Sequence, residues 1–200
     1  MRALARALLL SLAFTATQSF GGAQIYEPLS ASVQAALSRA VSDRGVPDLV
    51  FANQADGDRW LADMSDRLVK RMPDTVAREE FLKTVHYEAI RAGLDPQLVL
   101  GIIEVESAFR KYAVSSAGAR GYMQVMPFWV KLIGTNEHNL FHLRTNLRYG
   151  CTILRHYLDI EKGDLFRALG RYNGSLGKAQ YPNQVIRAWR GNFQYDGKLQ

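Results

Sequence analysis

Long apolar runs are scarce in this chain of 200 residues. The clearest one, Ala7 to Ala16 (ALLLSLAFTA), is about half the length that a membrane-spanning helix needs. Cysteine is scarcer still. Cys151 stands alone, which excludes an intrachain disulfide and leaves the fold to its core. Its neighbours Gly150 and Thr152 offer no base, so the thiol reads as a small buried hydrophobe on a helix rather than a nucleophile. No run of lysine or arginine and no basic stripe is present, so nucleic acid is not expected as a partner. No metal or other cofactor is expected either. His138 and His142 lie four residues apart but in a polar stretch with no third ligand, and Asp56-Gly57-Asp58 is too short for a calcium loop. Ser175-Leu176-Gly177-Lys178 has an S-x-x-K form without the companion motifs that give it meaning.

What is present describes one domain with a real core: 48% apolar residues and 22% charged. The net charge is +6. Without Arg2 and Arg6 it is 23 basic against 19 acidic residues, or +4, an excess that suits a polyanionic partner. Those two arginines precede the apolar run, and small and polar residues follow it through Gly21-Gly22-Ala23. That order predicts a secretory signal peptide over residues 1–23, cut near Ser19 or Ala23. No cysteine stands at its end to carry a lipid anchor, and no later segment is long enough to span a bilayer. A soluble protein outside the cytoplasm is the expectation.

Helical periodicity dominates the remainder, and no convincing strand is found, so the expected fold class is all-α. Val33, Ala36, Leu37, Ala40 and Val41 share one helix face after a cap at Ser30 or Ser32, and Gly45 and Pro47 stop that helix. Trp60, Leu61, Met64 and Leu68 mark a second helix, ended by Pro73. Asp74 caps a third that carries Phe81, Leu82, Val85, Ala89 and Ile90 and closes at Gly93. Asp95-Pro96 opens a fourth, with Asp at the cap and Pro in the first helical position. Further helices are predicted over 146–160, from Asp164 to Asn173-Gly174, and over 183–193.

The fourth helix, PQLVLGIIEVESAF from Pro96 to Phe109, is apolar almost throughout and still carries two carboxylates. Glu106 has Ile102 and Ile103 one turn before it and Phe109 one turn after, whereas Glu104 faces Leu100, Gly101, Ser107 and Ala108. Enclosure among isoleucines penalises the charged form and raises a carboxyl pKa. A carboxyl kept protonated near neutrality is what a general acid requires. The competing readings of that residue are an exposed glutamate near a helix end or one paired with Arg110.

Two later segments decide between them. Ser115-Ser116-Ala117-Gly118-Ala119-Arg120-Gly121-Tyr122-Met123-Gln124-Val125-Met126-Pro127 follows Glu106-Ser107-Ala108-Phe109, and Tyr172-Asn173-Gly174 comes much later. From about Ala92 to Val185 the chain resembles the catalytic domain of the soluble lytic transglycosylases, with their E-S-x-F, S-x-x-G-A-x-G-L-M-Q-x-M-P and A-Y-N-A-G motifs. The resemblance implies a goose-type-lysozyme-like fold, as one all-α lysozyme-like domain over 91–200 behind an N-terminal helical extension over 24–90. It implies Glu106 as the catalytic acid/base. Ser107 falls within the first motif, and Ser115 matches a serine that contacts the carboxylate or an acetamido group. Met123 and Gln124 match residues lining the cleft, and Tyr172 and Asn173 match a pair that holds the reacting sugar. Tyr122 stands where leucine is usual, Arg171 where alanine is usual before Tyr172, and Gly174-Ser175 where Ala-Gly is usual.

The activity so implied is cleavage of peptidoglycan between N-acetylmuramic acid and N-acetylglucosamine, ending in a 1,6-anhydromuramic residue. No second acidic residue belongs to a motif, in contrast to the two-carboxylate pattern of most glycosidases. A hydrolytic muramidase of the same fold is the alternative, and a non-catalytic wall-binding or assembly protein is a third reading. The expected partners are peptidoglycan glycan strands, with a secretion or cell-envelope apparatus as a further candidate. The expected location is the periplasm.

Overall fold

The computed structural model describes residues 23–42, 45, 49, 51 and 53–197. Apart from Ala23, the leader lies outside the described residues. Eight α-helices follow in order: α1 (Ala31–Ser42), α2 (Gln54–Leu68), α3 (Thr75–Arg91), α4 (Pro96–Ser107), α5 (Phe128–Ile133), α6 (Leu143–Ile160), α7 (Leu165–Asn173) and α8 (Gln180–Arg187). A π-helical turn, Ala188–Asn192, continues α8. Among the described residues there is no strand, only the isolated bridges Val114–Arg120 and Arg120–Val125, so the all-α expectation holds.

Local chemistry sets the helix starts. The side chains of Asp74, Asp95 and Asp164 accept from backbone N–H groups in the first turns of α3, α4 and α7, as their sequence positions imply. Asn53 does the same for α2 by accepting from Asp56 N–H. Three boundaries differ from the expected ones. Helix α4 ends at Ser107 rather than Phe109, because Ala108 (φ 49°) and Phe109 (φ 64°) turn left-handed. Helix α6 starts at Leu143, three residues before Asn146. Helix α8 starts at Gln180, since Pro182 sits in its first turn, where a missing N–H costs nothing. Helix α5 was not expected; six residues are too few to show a period.

One continuous core joins the N-terminal helices to the rest. Leu37 and Val41 of α1, and Trp60, Met64 and Leu68 of α2, are buried in the same cluster as Leu100, Ile102 and Ile103 of α4. Helix α4 is the central element, with α3 and α8 beside it and the π-helical turn across it. That last crossing explains Gly101: a Cβ there would lie 2.9 Å from the Trp189 backbone nitrogen, so only glycine lets the two backbones meet. Helices α3 and α6 are locked by Glu88, which is fully buried and receives Arg148 Nη2 at 2.8 Å and Arg91 Nε at 3.0 Å. Cys151 is buried on α6, and burial pushes its thiol well up, in keeping with a packing role.

Candidate active site

Glu106 lies in the last turn of α4 and is 3% exposed. Tyr181, in the first turn of α8, donates its hydroxyl to Glu106 Oε1 at 2.6 Å. The second oxygen, Oε2, is enclosed and has no hydrogen-bond partner among the described residues. Burial pushes the carboxyl up to about 8, although the Tyr181 hydrogen bond pulls the other way by favouring the ion. Arg110 does not pair with it; its Nε donates to the Ser107 carbonyl instead. Glu104 turns outward to Arg71 Nη2 at 3.1 Å and Asn192 Nδ2 at 2.7 Å. One helix therefore carries an outward, paired carboxylate and an inward one without a counter-ion.

The segment from Ala113 to Met126 folds into a tight loop held mostly by backbone bonds. Ser115 and Ala119 exchange hydrogen bonds, with Ser115 Oγ accepting from Ala119 N–H at 3.1 Å. Arg120 and Val125 pair through their backbones, and Gln124 N–H donates to the Gly121 carbonyl. Gly121 has φ 75°, and a Cβ there would lie 2.4 Å from Asn146 Nδ2, so both backbone and space demand glycine. Gln124 holds φ 48° without that freedom. Its carboxamide donates to the carbonyls of Gly121 (2.9 Å) and Ala113 (3.2 Å), which keeps the strained turn in place. Asn146 of α6 fixes the loop from below. Its Oδ1 accepts from Met123 N–H, and its Nδ2 donates to Arg120 and Leu140 carbonyls, all at 2.8 Å.

The third segment closes the site from α7. Tyr172 is fully buried, and its hydroxyl donates to the Met123 carbonyl at 2.7 Å, tying this segment to the loop. Its phenol is raised well above the usual range, first by burial and then by the nearby Glu106 charge. The buried atoms Asn173 Nδ2 and Ser175 Oγ lack protein partners, like Glu106 Oε2. Buried polar atoms are normally paired, and an orphan calls for a role. Here three orphans fall in two of the sequence motifs: one acceptor or acid, one amide donor and one hydroxyl.

Known proteins share this arrangement of sequence. Residues 83–187 match the family described as the transglycosylase SLT domain. The chain belongs to that family. A relative named transglycosylase, from Enterobacteria phage PRD1, is 31% identical over 115 residues, covering 54% of this chain and 42% of its own length. A protein of Histophilus somni named membrane-bound lytic murein transglycosylase C is 44% identical over 118 residues, 51% of this chain and 32% of that one. One of the same name from Actinobacillus pleuropneumoniae is 54% identical over 52 residues, 26% of this chain and 14% of that one. The chain thus spans less than half the length of these curated relatives.

Within the SLT domain, the residues singled out by sequence fall into three groups. Glu106 and Tyr172 are close enough to interact electrostatically, and Glu106 and Asn173 each carry a buried polar atom without a partner among the described residues. Met123 and Gln124 are close by but enclosed: Met123 is fully buried against α6, and the Gln124 amide is occupied by its own loop. The Ser107 hydroxyl donates to the Ile103 carbonyl one turn back, and Ser115 Oγ accepts from Ala119 N–H while its own O–H has no acceptor among the described residues. Tyr122, in place of the usual leucine, packs its ring against that of Phe81, with centroids 4.9 Å apart and planes tilted by 52°. His138 is not a free surface histidine, since its Nδ1 lies 2.7 Å from the Tyr149 hydroxyl.

Tyr181, which bonds the Glu106 carboxyl, and Asn146, which bonds the loop, are contacts that sequence reading missed. Tyr181 is separated from Glu106 by 75 residues and stands in a helix's first turn, where periodicity carries no information. Asn146 read only as a helix start. The one available signal was a polar residue just ahead of Leu147, Tyr149 and Cys151, all of which proved buried.

Proposed function

We propose that this chain is a peptidoglycan lytic transglycosylase in which Glu106 is the single acid/base. The observation that carries the reading is a buried carboxyl, protonated up to about pH 8, with one oxygen held by Tyr181 and the other unpaired. In the reaction, Glu106 gives its proton to the oxygen between N-acetylmuramic acid and N-acetylglucosamine as that bond to the anomeric carbon breaks. The muramic acetamido oxygen supports the positive charge left at that carbon. The ionised Glu106, stabilised by the Tyr181 hydroxyl, then takes the proton of the muramic 6-hydroxyl as its oxygen bonds to the anomeric carbon. Glu106 ends protonated, no water is consumed, and the product carries a 1,6-anhydro ring. An internal nucleophile gains a large proximity advantage over solvent, and enclosure of the carboxyl disfavours competing water.

Asn173 and Ser175 supply an amide donor and a hydroxyl for sugar oxygens, satisfying atoms that the protein leaves unpaired. Removal of one substrate-directed polar contact costs the reaction more than its mean hydrogen-bond strength, because the partner stays buried. Export belongs to the same reading, on the strength of the basic, apolar and small-residue order across residues 2–23. Among the described residues, no helix is long and apolar enough to cross a membrane.

The test is mass spectrometry of muropeptides released from purified sacculi by the wild type and by Glu106→Gln. Anhydromuramic ends that disappear in the variant are the expected result. Reducing ends one water heavier would make the enzyme a muramidase. Release of nothing by a folded wild type would leave a wall-binding protein.

A further inference from the structure

From Ser107 to Asn136 the chain carries no acidic residue and four basic ones, Arg110, Lys111, Arg120 and Lys131. The fold joins two of them through a pair of aromatic rings. Lys111 Nζ stands 5.4 Å from the centre of the Tyr112 ring, and the Arg120 guanidinium 5.9 Å from that of Phe141. The two rings meet with centroids 5.9 Å apart. The contacts therefore run cation, ring, ring, cation. Tyr112 is 71% exposed and Val114 beside it 61%, so this face is open to solvent. Lys111 and Arg120 make no ion pair among the described residues, in contrast to Arg148 and Arg91, which are neutralised by Glu88.

The backbone beneath this face is braced. Val114 and Arg120 are bridged to each other across the loop. Asn146 Nδ2 donates to the carbonyls of Arg120 and Leu140, so one amide clamps together the two chain segments that carry Arg120 and Phe141. Phe141 N–H donates to Asn139 Oδ1 at 2.9 Å. The Ala113 carbonyl, next to Tyr112, accepts from Gly121 N–H and from the Gln124 amide. Aromatic side chains with few rotatable bonds on a braced backbone lose little freedom when a ligand arrives. Exposed apolar surface rimmed by charge is the mark of an interaction site.

Ring faces take up apolar and C–H surface, and unpaired cations take up carboxylates. The fitting ligand carries both. In peptidoglycan the N-acetylated sugars are neutral, and the anions are free carboxylates of the peptide stems borne by muramic acid. We propose that the face formed by Lys111, Tyr112, Arg120 and Phe141 binds the carboxylate-bearing peptide stems of peptidoglycan. The inference rests on the transglycosylase reading above and adds to it a contact with the wall that is separate from the Glu106 carboxyl and its hydrogen bond. Because the cations are exposed, each contributes modestly and is screened by salt.

The experiment uses the full chain carrying Glu106→Gln, so that strands are bound without being cut. Binding is titrated with two soluble glycan preparations from the same sacculi: strands freed by an endopeptidase that keep their stems, and strands stripped of stems by an amidase. The Glu106→Gln chain is expected to bind stem-bearing strands about tenfold tighter than stripped ones, with the difference lost in high salt. Adding Lys111→Ala and Arg120→Ala together should weaken binding to stem-bearing strands about fivefold and leave stripped strands unaffected. Tyr112→Ala should weaken it about threefold, and the charge-keeping pair Lys111→Arg and Arg120→Lys should retain it. Equal affinity of the parent for both preparations, or no change in the variants, would overturn this inference alone, provided the wild type still makes anhydromuramic ends. Equal weakening on both preparations would make the face a sugar platform and overturn the stem assignment. Binding of phosphatidylglycerol vesicles that needs Lys111 and Arg120, with strand binding unmoved, would give the face to a lipid surface instead. No strand binding and no sacculus cleavage by the folded wild type would overturn the transglycosylase reading and this inference with it.

Discussion

Glu88 on α3 and Glu106 on α4 are both enclosed glutamates, and their surroundings are opposite. Glu88 receives Arg148 and Arg91 directly and has Arg144 Nε within 3.6 Å. Its charge is spent on joining α3 to α6. Glu106 has hydrocarbon around it, one phenol hydroxyl on one oxygen and nothing on the other. A buried carboxyl paired with arginines serves structure; one without a cation is held protonated by burial and can give its proton away. The same residue type, equally hidden, does different work because of what was packed beside it.

The widest separation of the two should appear when each is replaced by glutamine. Glu106→Gln should lose on the order of a thousandfold or more in sacculus cleavage while keeping the fold, since a positioned acid/base supplies about 10²–10⁴. Glu88→Gln should keep the activity of its folded fraction and lose about 3–5 kcal/mol of unfolding free energy, because Arg148 is left buried without its anion. Denaturant melts beside activity assays separate the outcomes. Equal loss of activity per folded molecule in both variants would erase the distinction.

A second contrast lies in stability against pH. The folded pKa of Glu106 is raised, so its stabilising share is fully present below the unfolded value near 4.5 and is lost as pH climbs through about 8. Glutamine mimics the protonated form at every pH. Glu106→Gln should therefore match the wild type at pH 4.5 and exceed it by a few kcal/mol at pH 8.5, read from chemical melts at both. A constant difference across that window would show that Glu106 is not kept protonated by burial.

The Tyr181 hydroxyl sharpens the comparison further. Cleavage by the wild type should fall as pH passes about 8, the proton that Glu106 must donate being lost there. In Tyr181→Phe the hydrogen bond that favours the ion is gone, so this limb should move to higher pH while the maximal rate drops about tenfold or more. An unmoved limb would mean that the falling rate reports another group. The smallest effect is expected at Ser107→Ala. Its hydroxyl only back-bonds to a helix carbonyl, so activity should stay within about twofold and stability within about 0.5 kcal/mol.

The helix starts at Asp74, Asp95 and Asp164 were legible because a cap is local: a side-chain acceptor meets N–H groups two or three residues on. Glu106 was legible because a carboxylate in a continuous apolar helix is anomalous at the level of sequence. The roles of Ser107 and Met123 were not. Their types fit a sugar site, but whether a hydroxyl is free or a thioether enclosed depends on neighbours from α4 itself and from α6. The segment at Gln24 had no readable period, and the groups its carboxamide bonds, the Gln124 carbonyl and Met126 N–H, lie 100 and 102 residues away.

The amino-acid order by itself determined the all-helical class, the caps, the three motifs and the identity of the anomalous carboxylate, since each rests on spacing within a few residues. Only the tertiary structure decided that Tyr181 is the partner of Glu106, that Asn146 holds the loop, that three arginines neutralise Glu88, and that Gln24 bonds the Gln124 carbonyl. Those pairings join residues far apart in the chain. Their energies come from excluding water at places that exist only once the helices have packed.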